Sequence, residues 1–255
     1  MFTQALVRPP GVNFADGLTS AAGQPDLQRA LEQHQQYCQV LRRCGLDLVC
    51  LPADERYPDG TFVEDTAVIV GDAAVITHPG APSRRGETRT IAAALRERYL
   101  HLHEIEPPGT VDGGDVCQAD NHFFIGVSNR TNEAGAAQLA ACLGGHGHTS
   151  SVIDIRGCSS LLHLKSGIAY LGERRFVVVP EVPVTAELAG YELLPAPAGE
   201  EYAANCIRVN DVVLVAAGYP RFRSLLQQKG YETIAVDTSE FRKMDGGLSC
   251  LSLRF

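Results

Sequence analysis

Short apolar runs rich in β-branched residues recur along the chain in pairs, each pair split by a polar turn. Residues 66–70 and 73–77 flank Gly71-Asp72, and residues 115–118 and 122–126 flank Ala119-Asp120-Asn121. Residues 167–171 and 175–179 flank Gly172-Glu173-Arg174, and residues 205–209 and 212–215 flank Asn210-Asp211. Such runs around Asn, Asp and Gly predict β-hairpins. After each pair the apolar period lengthens, which predicts helices over about 87–98, 132–143 and 219–229 and a weak one near 184–189. The units begin near residues 66, 115, 167 and 205, so they lie 38 to 52 residues apart. That spacing suits supersecondary repeats around a common centre, with an ordinary α/β sandwich as the alternative. The remaining chain can supply a fifth unit. A helix is predicted over about 25–44, with Leu27, Leu31, His34, Cys38 and Leu41 on its apolar side. A terminal strand over 248–253 can pair with one near 2–8. Segments 11–23, 79–85 and 194–204 read as loops, the first Gly-rich and mobile, and none has the composition of a domain linker.

Composition narrows the picture. The chain has 255 residues, 45% hydrophobic and 20% charged, which describes a globular protein with a sizeable core, expected as one domain over 1–255. The net charge of −8 and the absence of a basic run argue against nucleic acid as a partner. No apolar stretch approaches the roughly 18 residues that span a bilayer. The first ten residues lack a charged segment followed by an apolar one, so a cytoplasmic protein with no membrane partner is expected. A homodimer is compatible with the sequence. None of the eight cysteines forms a C-x-x-C pair, so buried thiols are expected rather than a disulfide framework. His101-Leu102-His103 and His146-Gly147-His148 offer paired imidazoles without a third ligand at a recognised spacing. No phosphate-binding glycine loop appears either. Neither a metal nor an organic cofactor is expected.

Six segments carry candidate chemistry, each with a bland reading beside it. Asp59, Glu64 and Asp65 fall within seven residues, either as a solvated acidic turn or as a clamp for a planar cation such as guanidinium. Arg84 and Arg130 each follow the second strand of a hairpin unit, either as surface arginines or as a convergent pair for one carboxylate. Asp112 and Asp115 flank a double glycine, whose backbone can approach a ligand closely or simply turn. His163 sits inside an apolar run, as a core histidine or a shielded general base. Cys250 follows Gly246-Gly247 and is expected just inside the terminal strand, as a core thiol or as an exposed nucleophile.

Taken together, eight segments resemble the dimethylarginine dimethylaminohydrolases of the guanidine-modifying (pentein) superfamily. They are DGLTS at 16–20, FVEDTAV at 62–68, PGAPSRRGE at 79–87, TVDGGDV at 110–116, SNRTNEAG at 128–135, LHLKSG at 162–167, YAANCI at 202–207 and DGGLSCLSLRF at 245–255. Each is weak alone, but their ordered run over nearly the whole chain is specific. The resemblance implies a five-bladed α/β propeller of ββαβ units with pseudo-five-fold symmetry. It implies Cys250 as nucleophile, His163 as general acid/base and Asp112 as the group that orients His163 or helps hold the guanidinium. Glu64 and Asp65 would grip the guanidinium nitrogens, and Arg84 and Arg130 the substrate α-carboxylate. Asp59, with backbone groups near Leu18 and Met244, would hold the α-amino group, under a lid formed by 11–23. Asp112 departs from the Glu found in many superfamily members, which keeps the charge but shortens its reach. Lys165 replaces the acid of the His-x-Asp pattern of arginine deiminases, which should weaken the grip on an unsubstituted guanidinium. The implied reaction turns methylated arginine into citrulline through a thiouronium on Cys250, with the arriving cation assisting deprotonation of the thiol. A deiminase, a non-catalytic guanidine-binding protein and a general Cys-His-Asp amidase are the alternatives.

Overall fold

The five three-stranded sheets of the computed structural model, which describes residues 1–255, obey one rule: the middle strand runs antiparallel to one neighbour and parallel to the other. In chain order the elements begin with β1 (Gln4–Val7), α1 (Leu27–Arg43) and β2 (Asp47–Cys50). Next come β3 (Ala67–Val70), β4 (Ala73–Ile76), α2 (Thr88–Arg96) and β5 (His101–Glu104), then β6 (Val116–Ala119), β7 (His122–Val127), α3 (Glu133–Gly145) and β8 (Thr149–Asp154). They continue with α4 (Leu164–Gly167), β9 (Ile168–Tyr170), β10 (Arg175–Val178) and β11 (Glu192–Pro195). The chain ends with β12 (Ile207–Val209), β13 (Val212–Ala216), α5 (Pro220–Gln228), β14 (Glu232–Val236), α6 (Ser239–Arg242) and β15 (Leu253–Arg254). Four sheets are consecutive: β3-β4-β5, β6-β7-β8, β9-β10-β11 and β12-β13-β14. In the fifth, β15-β1-β2, the last strand of the chain serves as the first strand of the module.

The chain forms two compact units. The terminal unit joins Met1–Val63 to Ala196–Phe255, and the central unit is Glu64–Pro195. In the terminal unit Ala5, Val7, Tyr37, Leu41 and Leu251 pack with the rings of Phe14, Phe62 and Phe241, whose centroids lie 5.5 to 6.3 Å apart. The central unit has two apolar clusters, one around Val75, Val116, Ile125 and Leu139, the other around Phe124, Ile153, Ile168 and Phe176. No helix is long and apolar enough to cross a membrane.

Local chemistry explains the element ends. The Asp26 carboxylate accepts the Arg29 N–H at 2.9 Å and caps α1, whose last turn carries Arg42 and Arg43. Asn132 caps α3 in the same way, through the Gly135 N–H at 2.8 Å. The hairpin turns need left-handed backbone, supplied by Gly71, Asp120 and Asn210. The predicted apolar side of α1 is slightly rotated. Leu31 is exposed and Gln33 is buried, because the Gln33 amide bonds Ser239 Oγ at 2.8 Å and the Glu240 N–H at 3.1 Å.

Three expectations change. The hairpin pattern did not reveal the third strands β2, β5, β8, β11 and β14. Each pairs on one side only, and β5 and β8 expose much of their length, so their alternation is faint. The weak helix near 184–189 is a single 3-10 turn, Ala186–Leu188. The terminal strand is also shorter than 248–253. Ser249–Leu251 is a 3-10 turn and only Leu253–Arg254 pairs with β1, so Cys250 lies in a turn rather than in a strand. That turn is one of a set, because the first strand of every module is entered through a short helical turn. These are Val63–Thr66, Gly113–Asp115, α4, Glu201–Ala204 and Ser249–Leu251.

Asn132 also accepts the Thr110 N–H at 3.0 Å and donates to Pro108 O at 2.9 Å. Asn132→Ala should therefore cost more than a surface cap, about 1–2 kcal/mol. The expected outcome is a lower urea midpoint with an unchanged far-ultraviolet circular dichroism spectrum.

Candidate active site

The sequence-predicted site residues divide between the two units, and half of them sit in or beside the entry turns just described. Glu64 and Asp65 lie within Val63–Thr66, Asp112 directly precedes Gly113–Asp115, and His163 directly precedes α4. Cys250 lies within Ser249–Leu251. A short turn at a strand entrance frees one side chain from the alternation of the strand, which is why these positions can carry chemistry.

In the central unit, His163 Nε2 lies 3.0 Å from Asp112 Oδ2, and both residues are buried. Asp112 Oδ1 accepts the Gly80 N–H at 2.9 Å, and the Asp112 N–H donates to Thr131 Oγ1 at 3.1 Å, which fixes the carboxylate. His163 Nδ1 faces Asp65 Oδ1 at 3.9 Å. Asp65 in turn accepts the Gly114 N–H at 2.9 Å and a charged hydrogen bond from Arg84. Gly114 has no room for a side chain, because a Cβ there would stand 2.7 Å from both Asp65 Oδ1 and His163 Nδ1. Thus a carboxylate stands at each nitrogen of one imidazole.

Electrostatics follow from that geometry. Burial opposes a charge on His163, but Asp65 and Asp115, with the Asp112 hydrogen bond, outweigh it and lift the pKa to about 9. Burial also opposes ionisation of Asp65, yet His163 and Arg84 hold its carboxyl well below the usual range. His163 is therefore an imidazolium at neutral pH, a proton donor held at a fixed angle. Asp65, Asp112 and His163 are close enough together to hold a metal ion. Here Arg84 and His163 already lie against those carboxylates.

The two predicted arginines differ. Arg84 is buried and engaged by Asp65 and by Glu87, with Nη2–Oε2 at 2.8 Å, so in this structure it serves to hold Asp65. Arg130 keeps part of its side chain exposed, with Nη1 3.9 Å from Asp112 Oδ2. Lys165 Nζ bonds Glu64 Oε1 at 2.7 Å, so the residue that replaces a deiminase acid supplies a cation to Glu64.

In the terminal unit, Asp59 is buried and both of its oxygens accept the Leu18 N–H, at 3.1 and 3.2 Å. A Cβ on Gly17 would meet Asp59 Oδ1 at 2.6 Å and the Met244 methyl at 3.1 Å, so Asp59 and Met244 both lie close to the backbone beside Leu18. The 11–23 loop is tied down here. Thr19 Oγ1 donates to Lys243 O at 2.8 Å, Ser20 Oγ donates to Asp245 Oδ2 at 2.9 Å, and Phe14 enters the aromatic cluster. The turn bearing Cys250 is held from beneath. The Ser249 N–H donates to Asn205 Oδ1 at 2.9 Å, Tyr202 OH donates to Gly246 O at 2.9 Å and Tyr37 OH to Leu248 O at 3.1 Å. A Cβ on Gly247 would strike Asn205 Oδ1 at 2.4 Å, which explains the second glycine.

Several of these supports carried no role in the sequence reading. Asp115 accepts from Ser128 Oγ and Thr131 Oγ1, both at 2.7 Å, and from the Leu164 N–H at 2.9 Å, anchoring the residue next to His163. Glu87, Asn205, Tyr37 and Tyr202 are similar. The available signal was their place inside the matching segments PGAPSRRGE and YAANCI or, for Tyr37, the apolar side of a helix.

Comparison with known proteins identifies the family. The profile of the arginine deiminase family matches residues 56–203. The chain is 46% identical to the N(G),N(G)-dimethylarginine dimethylaminohydrolase of Pseudomonas aeruginosa, covering 100% of both chains. It is 34% identical to the enzyme of that name from Streptomyces coelicolor, over 98% of this chain and 96% of the relative. This chain belongs to the dimethylarginine dimethylaminohydrolase family. A solved structure of the Pseudomonas aeruginosa member, a cysteine-to-serine variant complexed with citrulline, superimposes with a TM-score of 0.96 over 100% of both chains. The expected α/β fold of five ββαβ repeats is thus the fold of this dimethylarginine dimethylaminohydrolase family member. Two modules vary the pattern: β15-β1-β2 takes its first strand from the end of the chain, and β9-β10-β11 replaces its crossover helix by a 3-10 turn.

A pH dependence of stability follows. His163 has its folded-state pKa raised above the ordinary 6.5. Its contribution is therefore complete below pH 6.5 and is lost as pH rises through about 9. The contribution is on the order of 3 kcal/mol. Urea midpoints measured from neutral to alkaline pH should fall for the wild type and fall less steeply for Asp112→Asn, which removes one of the stabilising charges.

Proposed function

We propose that the protein hydrolyses Nω-methylated arginines, asymmetric dimethylarginine and monomethylarginine, to citrulline and dimethylamine or methylamine. The observation that supports this best is the His163 imidazolium with a carboxylate at each ring nitrogen, in a chain that aligns along its full length with dimethylarginine dimethylaminohydrolases. An amine is a poor leaving group until it is protonated, and a buried imidazolium is suited to supply that proton.

In this reading the Cys250 thiolate attacks the guanidinium carbon, forming a C–S bond and a tetrahedral adduct. His163 gives its proton to the methylated nitrogen, the C–N bond breaks and dimethylamine departs. The product on Cys250 is an S-alkylthiouronium. His163, now neutral, takes a proton from water, whose oxygen adds to the same carbon; collapse of that adduct expels the thiolate, sheds the remaining hydroxyl proton to solvent and releases citrulline. Asp112 holds the imidazole in place throughout. Glu64 and Asp65 bind guanidinium nitrogens, Asp59 with the backbone near Leu18 and Met244 binds the α-amino group, and Arg130 takes the α-carboxylate while Arg84 steadies Asp65.

The Lys165–Glu64 pair bears on selectivity. A carboxylate already shared with an ammonium gives less to an unsubstituted guanidinium nitrogen, so the methylated substrates are favoured over arginine. Purified protein incubated with dimethylarginine should release citrulline and dimethylamine in equal amounts. Monomethylarginine should be turned over as well, and arginine far more slowly. Cys250→Ser should abolish turnover; full activity in that variant, or a preference for arginine, contradicts the proposal.

A further inference from the structure

The central unit also brings together three metal-binding side chains that the reaction does not use. β5 alternates, so His101 and His103 project from the same side of an exposed strand. Cys142 and His146 are four residues apart at the end of α3, one turn from each other. His146 is the capping residue there; its N–H donates to Cys142 O at 3.2 Å and Leu143 O at 3.1 Å, which fixes its backbone. The two pairs meet. His103 Nε2 and His146 Nε2 stand 2.9 Å apart, and with Cys142 Sγ all three ligand atoms lie within 4.8 Å of one another. The other face of the His146 ring has a carboxylate near it, with Nδ1 3.7 Å from Asp72 Oδ1.

From the sequence alone these imidazoles lacked a third ligand. The fold supplies it as Cys142, from a helix face that no linear spacing connects to His103. A four-coordinate zinc ion with Zn–N near 2.0 Å and Zn–S near 2.3 Å sets its ligand atoms about 3.3–3.6 Å apart. The three atoms, all within 4.8 Å of one another, already lie close to that spacing, and His103 is exposed while the other two are half-buried. Asp72 stands 3.7 Å from the His146 ring nitrogen that would not bind the metal, on the side from which a carboxylate can orient a ligating histidine.

We propose that His103, Cys142 and His146 form a surface site for a zinc-class divalent cation. Two imidazoles and one thiolate are a donor set for borderline and soft ions rather than for calcium or magnesium. The fourth position falls to water or to His101, whose ring centroid is 6.1 Å from that of His146. Binding exchanges the Cys142 thiol proton for the metal and releases that proton to solvent. A thiolate ligand is contested by protons, so affinity should strengthen with rising pH. An ion here joins the end of α3 to β5, so occupancy should stabilise the folded protein.

The test uses the full chain, stripped with a chelator, in a Cys250→Ser background that removes the proposed nucleophile as a competing thiol. Titration with cobalt(II) should saturate near one equivalent, with a thiolate-to-cobalt charge-transfer absorption and tetrahedral d–d bands that zinc abolishes by displacement. Adding Cys142→Ser should remove the charge-transfer absorption, and His103→Ala or His146→Ala should weaken binding by about ten-fold or more. In the Cys250-containing protein, His103→Ala and His146→Ala should leave metal-free dimethylarginine turnover unchanged. An octahedral cobalt spectrum without charge transfer, or a charge-transfer band that survives Cys142→Ser, overturns the proposal. Apo-protein circular dichroism of each variant separates loss of the site from loss of the fold.

Discussion

The contact on which the site depends is the buried hydrogen bond between His163 Nε2 and Asp112 Oδ2. An imidazolium removed from water is stable only where negative charge replaces the lost hydration. Asp112 supplies that charge on one side and Asp65 on the other, and each is fixed by a backbone N–H, from Gly80 and Gly114. The glycines are part of the same requirement. A side chain on Gly114 would occupy the gap across which Asp65 and His163 face each other, and a Cβ on Gly113 would collide with the backbone oxygen of Glu64.

The surrounding charges extend this balance. Glu64, Asp65, Glu87 and Asp112 contribute four carboxylates, and His163, Arg84, Lys165 and Arg130 contribute four cations against them. Asp115 adds a further buried carboxyl, which burial pushes up to about 6 against the pull of His163 and three hydrogen-bond donors. The residual charge is negative, which favours a cationic substrate and disfavours a neutral amide. A general amidase of the Cys-His-Asp type therefore has no use for this arrangement, whereas a guanidinium does.

Much of this was legible in the sequence, for physical reasons that differ by element. The hairpins were readable because β-branched runs flank turns that demand left-handed backbone, as at Gly71 and Asn210. Of the helices, α1 was readable because an amphipathic stretch follows Asp26, and α3 because a run of small and apolar residues follows Asn132. The third strands were not, since β5 and β8 are exposed edges with little alternation. Cys250 looked like a strand residue because Leu251 and Leu253 alternate with serines, but the polar hooks from Asn205 and Tyr37 bend that segment into a turn. Pairings remote in sequence were the hardest to see. Arg84 matched the role of a substrate-binding arginine by position, and only the fold shows it closed between Asp65 and Glu87. Cys142 had no visible partner until α3 and β5 were placed side by side.

The central claim is that His163 rests as an imidazolium, and nitrogen NMR of ring-labelled histidine reads this directly. Both ring nitrogens of His163 should be protonated at neutral pH and titrate with a midpoint at about 9. A midpoint at or below the ordinary 6.5 would contradict the account, because the carboxylates would then not be holding the proton that the leaving amine needs.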